Sequence, residues 1–320
     1  MIVKVKNVQS NSVFFKNILV RFRSISSNNL DAFKDDRLYY STPNNFNDPY
    51  DTLIYANYRR IIQDVSHNLE IGMDSYLDKL KDKDIPNAKI FAGFGYAMWN
   101  GSKKEEFLNS FYQQIYEAIK MLKEALRKNV KIICFSEEYL SMLMWSHYAD
   151  NHKGFAIIYD KNDIENAENH TNSGELIRKK SILRQVTYAQ KQTDLTLEIE
   201  DYVRAYRMPN LGDVAPPIPN LSQDKLRRMI TEKSPDWSYE KEWRIIPRHI
   251  SLEHESNLGY MLIKPKGIIL GSMCLKEDQR QIIDICDKKE IPVFKSELNY
   301  WEPGYKLILT KPDIQLARDI

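Results

Sequence analysis

Cysteine is scarce: Cys134, Cys274 and Cys286 are the only 3 in 320 residues, far apart and in no CxxC pair. An odd, scattered set excludes a disulfide framework and a cysteine zinc site, and leaves reduced, mostly buried thiols. Long apolar runs are also missing. Gly154 to Tyr159 and Gly267 to Gly271 are the longest, far too short to span a bilayer. The N-terminal run Met1-Ile2-Val3-Lys4-Val5-Lys6 lacks the apolar stretch of a secretory signal. A soluble, cytoplasmic protein with no membrane partner is expected. Nor is there an excess of charge of one sign: Lys+Arg 46 against Asp+Glu 44 leaves +2. That balance gives no global nucleic-acid footprint, though it permits a local basic patch. Internal repeats and low-complexity tracts are absent, as are GxGxxG and GxxxxGK[ST], which removes the standard phosphate loops.

What is present is an ordinary globular composition, 42% hydrophobic and 28% charged, in a chain long enough to bury a sizeable core. Alternation predicts a strand over Ile18 to Phe22. Ser26-Ser27-Asn28-Asn29 then offers N-caps for a short helix around Leu30 to Lys34. A strand over Arg37 to Thr42 stops at Pro43, where turn chemistry runs to Pro49. Helical periodicity governs residues 54–129: looser helices around Arg60 to Leu80 and Ile90 to Trp99, then a clear one over Lys104 to Leu126. The last carries a stripe of Phe107, Phe111, Ile115, Ile119 and Leu122. Further strands are expected at Val130 to Ser136, Gly154 to Tyr159 (central), Leu183 to Ala189, Glu240 to Ile246, Gly267 to Leu270 and Pro292 to Phe294. Helices are expected at Tyr139 to Tyr148, Leu195 to Arg207, Ser222 to Glu232 and Lys276 to Lys288, with a proline-rich loop over Met208 to Asn220. Strands separated by helical blocks of uneven length predict an α+β fold, one domain over residues 1–320 with a helical insert at about 54–129.

Four motifs carry candidate chemistry. Arg21-Phe22-Arg23 places two arginines on one face of a strand, where a planar fork can clamp a phosphate or carboxylate. The competing reading is a solvated edge strand. Phe46-Asn47-Asp48-Pro49-Tyr50-Asp51 reads first as a tight turn in which Asp48 or Asp51 caps the following helix. Cys134-Phe135-Ser136 leads into Met144-Trp145-Ser146-His147-Tyr148-Ala149-Asp150-Asn151-His152. The i, i+5 spacing of His147 and His152 puts them on different helical faces, unlike an HExxH pair, so no metal site is expected; His147 reads as a core histidine on the stripe of Leu140, Leu143 and Met144. In Trp237-Ser238-Tyr239-Glu240-Lys241-Glu242-Trp243-Arg244, strand alternation directs Glu240, Glu242 and Arg244 into one space. There, repulsion and burial can raise one carboxyl pKa; the competing reading is a solvated strand face on which Arg244 balances a glutamate.

The order Arg-x-Arg-Ser, LYYSTPxxFNDPYD, CFS with MWSHYADNHKGFAIIYD, then WSYEKEWR resembles the bacterial domain-of-unknown-function family numbered 2971, over roughly Leu19 to Gly271. The chain also resembles the ADP-ribosyltransferase superfamily, which orders an arginine or histidine on a first strand, a later Ser or Tyr, and a glutamate, in some members as Glu-x-Glu. Arg23 or Arg21, then Ser136, then Glu240-x-Glu242 follow that order; Ser41, in Tyr40-Ser41-Thr42, is the rival for the middle place. A helical insert separates the strands, and neither serine lies in a complete Ser-Thr-Ser. The resemblance implies a mixed sheet core and NAD as substrate, with a protein or nucleic-acid acceptor. It implies the setting of a toxin or phage-defence effector, with an antitoxin or regulatory partner. Glu242 would stabilise an oxocarbenium-like ribose, Glu240 would orient or deprotonate the acceptor, Arg21 or Arg23 would bind NAD, Ser136 would steady the pocket, and Tyr148 would stack on a ring. Two other readings compete: a metal-dependent nuclease or phosphodiesterase using Asp48, Asp51, His147 and His152, and a non-catalytic binding module.

Overall fold

The computed structural model describes residues 15–72, 97, 99, 104–178, 181–206, 219 and 221–312. Chain order begins with strand β1 (Ile18–Arg23), helix α1 (Ser27–Lys34), β2 (Arg37–Tyr39), α2 (Tyr58–Ile71), α3 (Lys104–Asn129), β3 (Ile133–Ser136), α4 (Met142–Tyr148), β4 (Phe155–Asp160) and α5 (Lys161–Asn166). It continues with β5 (Glu168–His170), β6 (Leu176–Ile177), β7 (Ser181–Gln185), β8 (Thr187–Tyr188), α6 (Thr196–Tyr206), α7 (Gln223–Thr231), β9 (Glu232–Lys233) and β10 (Glu242–Pro247). The last elements are β11 (Tyr260–Leu262), β12 (Gly267–Leu270), α8 (Lys276–Lys289), β13 (Val293–Leu298) and β14 (Leu307–Thr310). The architecture is mixed helix and sheet, in keeping with the α+β expectation. The predicted helix at Ile90 to Trp99, the end of the one at Arg60 to Leu80, and most of the Met208 to Asn220 loop lie outside the described residues. Among the described residues no helix is long and apolar enough to cross a membrane.

The main sheet has eight strands in the order β14-β13-β12-β4-β1-β3-β10-β7, parallel only between β12 and β13. A four-stranded sheet, β2-β11-β5-β6, covers part of one face. Two expectations need correcting here. β1 is not an edge strand: all six of its residues pair with β4, and five of the six are buried. The predicted strand over Arg37 to Thr42 is shorter, β2 ending at Tyr39 in the smaller sheet, and Ser41 makes only an isolated bridge to Ile132.

Alternation along β1 sorts the core. Val20 and Phe22 point to the side where Phe22 meets the Trp145 ring edge-on at 5.1 Å; Leu19 points to the other side, with Phe33, Phe155 and Ile268. A third cluster is helical. The stripe of α3 (Phe107, Phe111, Ile115, Leu122) packs with Ile61 and Val65 of α2, Ile199 of α6 and Leu226 of α7. Each such side chain contributes about 1.5–3 kcal/mol by leaving water, which is why a polar-backed helix can be held against the sheet. The Ser26 hydroxyl caps α1 as the sequence predicts, accepting from Asn29 N. The Ser141 hydroxyl caps α4, which begins three residues after the expected start at Tyr139, by accepting from Met144 N.

Between α4 and β4 the chain reverses through Asp150, Asn151 and His152, all at positive φ (46°, 51° and 68°). Gly154 follows because there is no room for a side chain: a Cβ would lie 2.1 Å from the Arg23 carbonyl oxygen. This close approach seats β4 against the end of β1 and fixes the backbone of Arg23.

Candidate functional site

β1 and β3 register only at Val20 with Ser136, and beyond that pair a cavity of about 400 Å³ opens between them. Its walls bring together the seven residues that the ADP-ribosyltransferase resemblance singled out: Arg21, Arg23, Ser41, Ser136, Tyr148, Glu240 and Glu242. These come from positions up to 221 residues apart in the chain.

The carboxylate wall is a continuous buried network. Arg244, 1% exposed, donates from Nη1 (3.0 Å) and Nη2 (2.5 Å) to the two Asp51 carboxylate oxygens, and from Nε (2.8 Å) and Nη2 (2.9 Å) to those of Glu242. Lys233 Nζ donates to Glu240 Oε2 at 2.6 Å and Glu242 Oε2 at 3.4 Å, and lies 4.5 Å from the Trp237 ring centroid. The Tyr148 hydroxyl donates to Glu240 Oε1 at 2.5 Å, and the Asn47 amide donates to the Tyr148 oxygen at 3.1 Å. The two glutamates are thereby made unlike. Burial pushes the Glu242 carboxyl up, but Arg244 and Lys233 outweigh it and hold the group down at about 2, so it is ionised at neutral pH. For Glu240, burial prevails over Lys233 and keeps its carboxyl above the ordinary range. Burial works to lower Lys233 as well, yet Glu242 and Glu240 more than offset it and hold the ammonium charged. Three carboxyl groups (Asp51, Glu240, Glu242) thus meet two cations (Lys233, Arg244) on this wall.

The arginine wall is the opposite. Arg21 is 9% exposed, and its Nε and Nη1 have no hydrogen-bond partner. Nη2 reaches only the Tyr39 carbonyl, at 3.5 Å. Arg23 Nη1 donates to the Phe22 carbonyl at 3.3 Å. Among the described residues no carboxylate pairs with either arginine. Burial lowers the Arg21 pKa, and burial together with the adjacent Arg21 lowers Arg23 to about 9. Arg21, Arg23, Ser41 and Asn45 also line a second cavity, of about 900 Å³, bordered by α1 and β2. The arginines therefore stand at the junction of two chambers.

Several expectations change in detail. Glu240 is not on a strand. It ends a 3₁₀ turn (Pro235–Glu240), and Lys241, left-handed at φ 41°, turns the chain into β10. The glutamates still converge, because Lys233 draws both together. The Ser136 hydroxyl is committed locally, donating to the Glu240 carbonyl at 2.5 Å and accepting from Glu138 N at 2.8 Å. Asp51 caps no helix but forms the ion pair with Arg244. His147 is exposed rather than in the core, tilted against the Tyr239 ring at the cavity rim, and Leu143 is 49% exposed, so the buried face of α4 is Met144 and Trp145. The four residues of the nuclease reading are scattered. Asp51 is held by Arg244, Asp48 accepts from Tyr50 N, and His152 lies between the hydroxyls of Ser146 and Ser272, while His147 stays at the rim. Among the described residues no group of three His, Cys, Asp or Glu is placed to hold a metal ion. The residue that sequence reasoning missed is Lys233. No pattern marks it, since only the parallel pairing of β9 with β8 brings it under the glutamates.

Residues 144–245 match the family described as "Protein of unknown function (DUF2971)". The matched segment runs from the core methionine of α4 into β10, and so contains Tyr148, Lys233, Glu240, Glu242 and Arg244 but not Asp51, Arg21 or Arg23. No curated protein and no solved structure matches the chain.

Proposed function

We propose that the protein is an ADP-ribosyltransferase that consumes NAD and passes ADP-ribose to a macromolecular acceptor. The observation that carries this reading is the two arginines of β1, Arg21 buried and without a partner for two of its nitrogens among the described residues and Arg23 half-buried beside it, between two chambers of which one bears an ionised Glu242. A buried guanidinium without an anion is costly, so the site is built for a ligand that supplies one. NAD has the matching charge pattern. Its pyrophosphate, between two nucleosides, would lie on the arginines at the junction, and its cationic nicotinamide end would face the carboxyl-lined wall.

In the reaction the bond between nicotinamide and ribose C1′ breaks and its electron pair leaves with nicotinamide. The Glu242 carboxylate, ionised and fixed by Arg244, stabilises the positive charge left on the ribose and accepts from a ribose hydroxyl. Glu240, with its raised pKa, takes the proton from the acceptor as the acceptor's lone pair bonds to C1′. The motif order described from the sequence points the same way. A toxin or phage-defence effector, held in check by an antitoxin or regulatory partner, is the setting such chemistry suits.

The test is incubation of wild-type and Glu242→Gln protein with NAD, following nicotinamide release with and without cell lysate. Release by the wild type alone, from two proteins of equal near-UV circular dichroism, is the expected result. A folded wild type that releases none in either condition overturns the proposal.

A further inference from the structure

The Phe46-Asn47-Asp48-Pro49-Tyr50-Asp51 motif places its two aspartates in different chambers. Asp51 belongs to the network described above. Asp48 lines a separate cavity of about 320 Å³, which adjoins the first across Lys233. Asp48 is 2% exposed. One carboxylate oxygen, Oδ1, accepts from Tyr50 N at 2.8 Å, and the other, Oδ2, is buried with no hydrogen-bond partner among the described residues. The other charged groups at this cavity do not satisfy it. Glu232 is taken by Arg228 (2.9 Å) and Thr193 (2.6 Å), and Lys233 is turned away onto Glu240 and Glu242. Lys191 is exposed, and Asp236, on the exposed rim, accepts from the Ser234 hydroxyl.

We propose that this cavity is a binding site for a primary alkylammonium group, such as that of a polyamine or a lysine side chain. A buried carboxylate oxygen without a donor calls for a cation or a strong donor. One free oxygen suits the compact ammonium better than the two-pronged guanidinium, whose fork asks for two. The Trp237 and Tyr50 rings and the methylenes of Met229 and Leu53 in the walls suit an alkyl chain behind the charge. A metal ion is a poorer fit, since among the described residues Asp48 and Asp236 are the only carboxylates here without a cationic partner, and Asp236 lies on the exposed rim. The inference stands on Asp48 and its cavity, independently of whether the glutamates carry ADP-ribosyl transfer.

Calorimetric titration of the whole protein, without NAD, tests it with putrescine, spermidine and N-acetyl-lysine methylamide. One amine per chain is expected to bind the wild type, with affinity at least tenfold weaker in Asp48→Asn. That variant keeps an oxygen for Tyr50 N and loses the charge. Asp236→Asn, at the exposed rim, is expected to weaken binding severalfold without touching the buried turn. Tighter binding of the lysine derivative than of the polyamines identifies a protein side chain as the ligand, and the reverse order a free polyamine. No binding of any amine to the wild type, or equal binding by folded wild type and Asp48→Asn, overturns the proposal.

Discussion

Replacing Arg21 by methionine should make the empty protein more stable and the ligand-binding protein worse. Methionine follows the path of the arginine stem but carries no charge, so what is removed is the guanidinium. Breaking a buried ion pair normally costs about 3–5 kcal/mol because it strands the partner charge, but Arg21 has no carboxylate partner to strand. What is recovered is part of the desolvation penalty, together with repulsion from Arg23. Replacement of buried charges by apolar groups gains about 1–4 kcal/mol in comparable cases. At about 2 °C per kcal/mol for a chain of this size, melting should rise by roughly 2–8 °C. The sign with pH follows from Arg21 itself, whose pKa burial lowers from its ordinary value. For a base depressed in the folded state the penalty is complete below the folded value and is relieved as pH rises through it. The stabilisation from Arg21→Met should therefore shrink, not grow, as pH rises. In return, loss of charge-assisted hydrogen bonds worth about 3 kcal/mol should weaken NAD binding roughly 100-fold. Differential scanning calorimetry without ligand and isothermal titration with NAD measure the two effects. Arg21→Lys, which keeps the charge and loses the fork, should stay near wild-type stability. An Arg21→Met protein that melts below the wild type, or that binds NAD equally well, would refute the reasoning.

Two further predictions concern the frame around the site. Gly154→Ala places a methyl 2.1 Å from the Arg23 carbonyl oxygen, so backbone must move, and urea unfolding should show a loss of about 2–4 kcal/mol; a loss under 0.5 kcal/mol would mean that the β4–β1 approach is not tight. The Glu242 carboxyl, lowered from 4.5 to about 2, contributes stability above pH 4.5 that fades as pH falls through its folded value, about 3 kcal/mol in all. Glu242→Gln should lack that limb of the acid-denaturation curve, and parallel curves for the two proteins would contradict the network as described.

The strands and helices were legible in the sequence wherever burial imposes a period. The α3 stripe, the apolar β4 and β12 and the Ser26 cap follow from local physics, because each depends on neighbours a few residues away. The candidate site was legible as a set of residue types: paired arginines, a serine at a strand exit and glutamates two apart are rare enough to mark. The tertiary structure decided their partners. Glu240 and Glu242 share a space not through strand alternation but because Lys233, unmarked in the sequence, draws them together from a strand formed elsewhere. Arg21 looked as though it could be a solvated edge residue, and only the placement of β1 between β4 and β3 makes it buried and unpaired. Asp51 and Arg244, 193 positions apart, meet for the same reason. A local pattern fixes which face a side chain takes, whereas desolvation and charge pairing, which set its chemistry, depend on what the rest of the chain brings alongside.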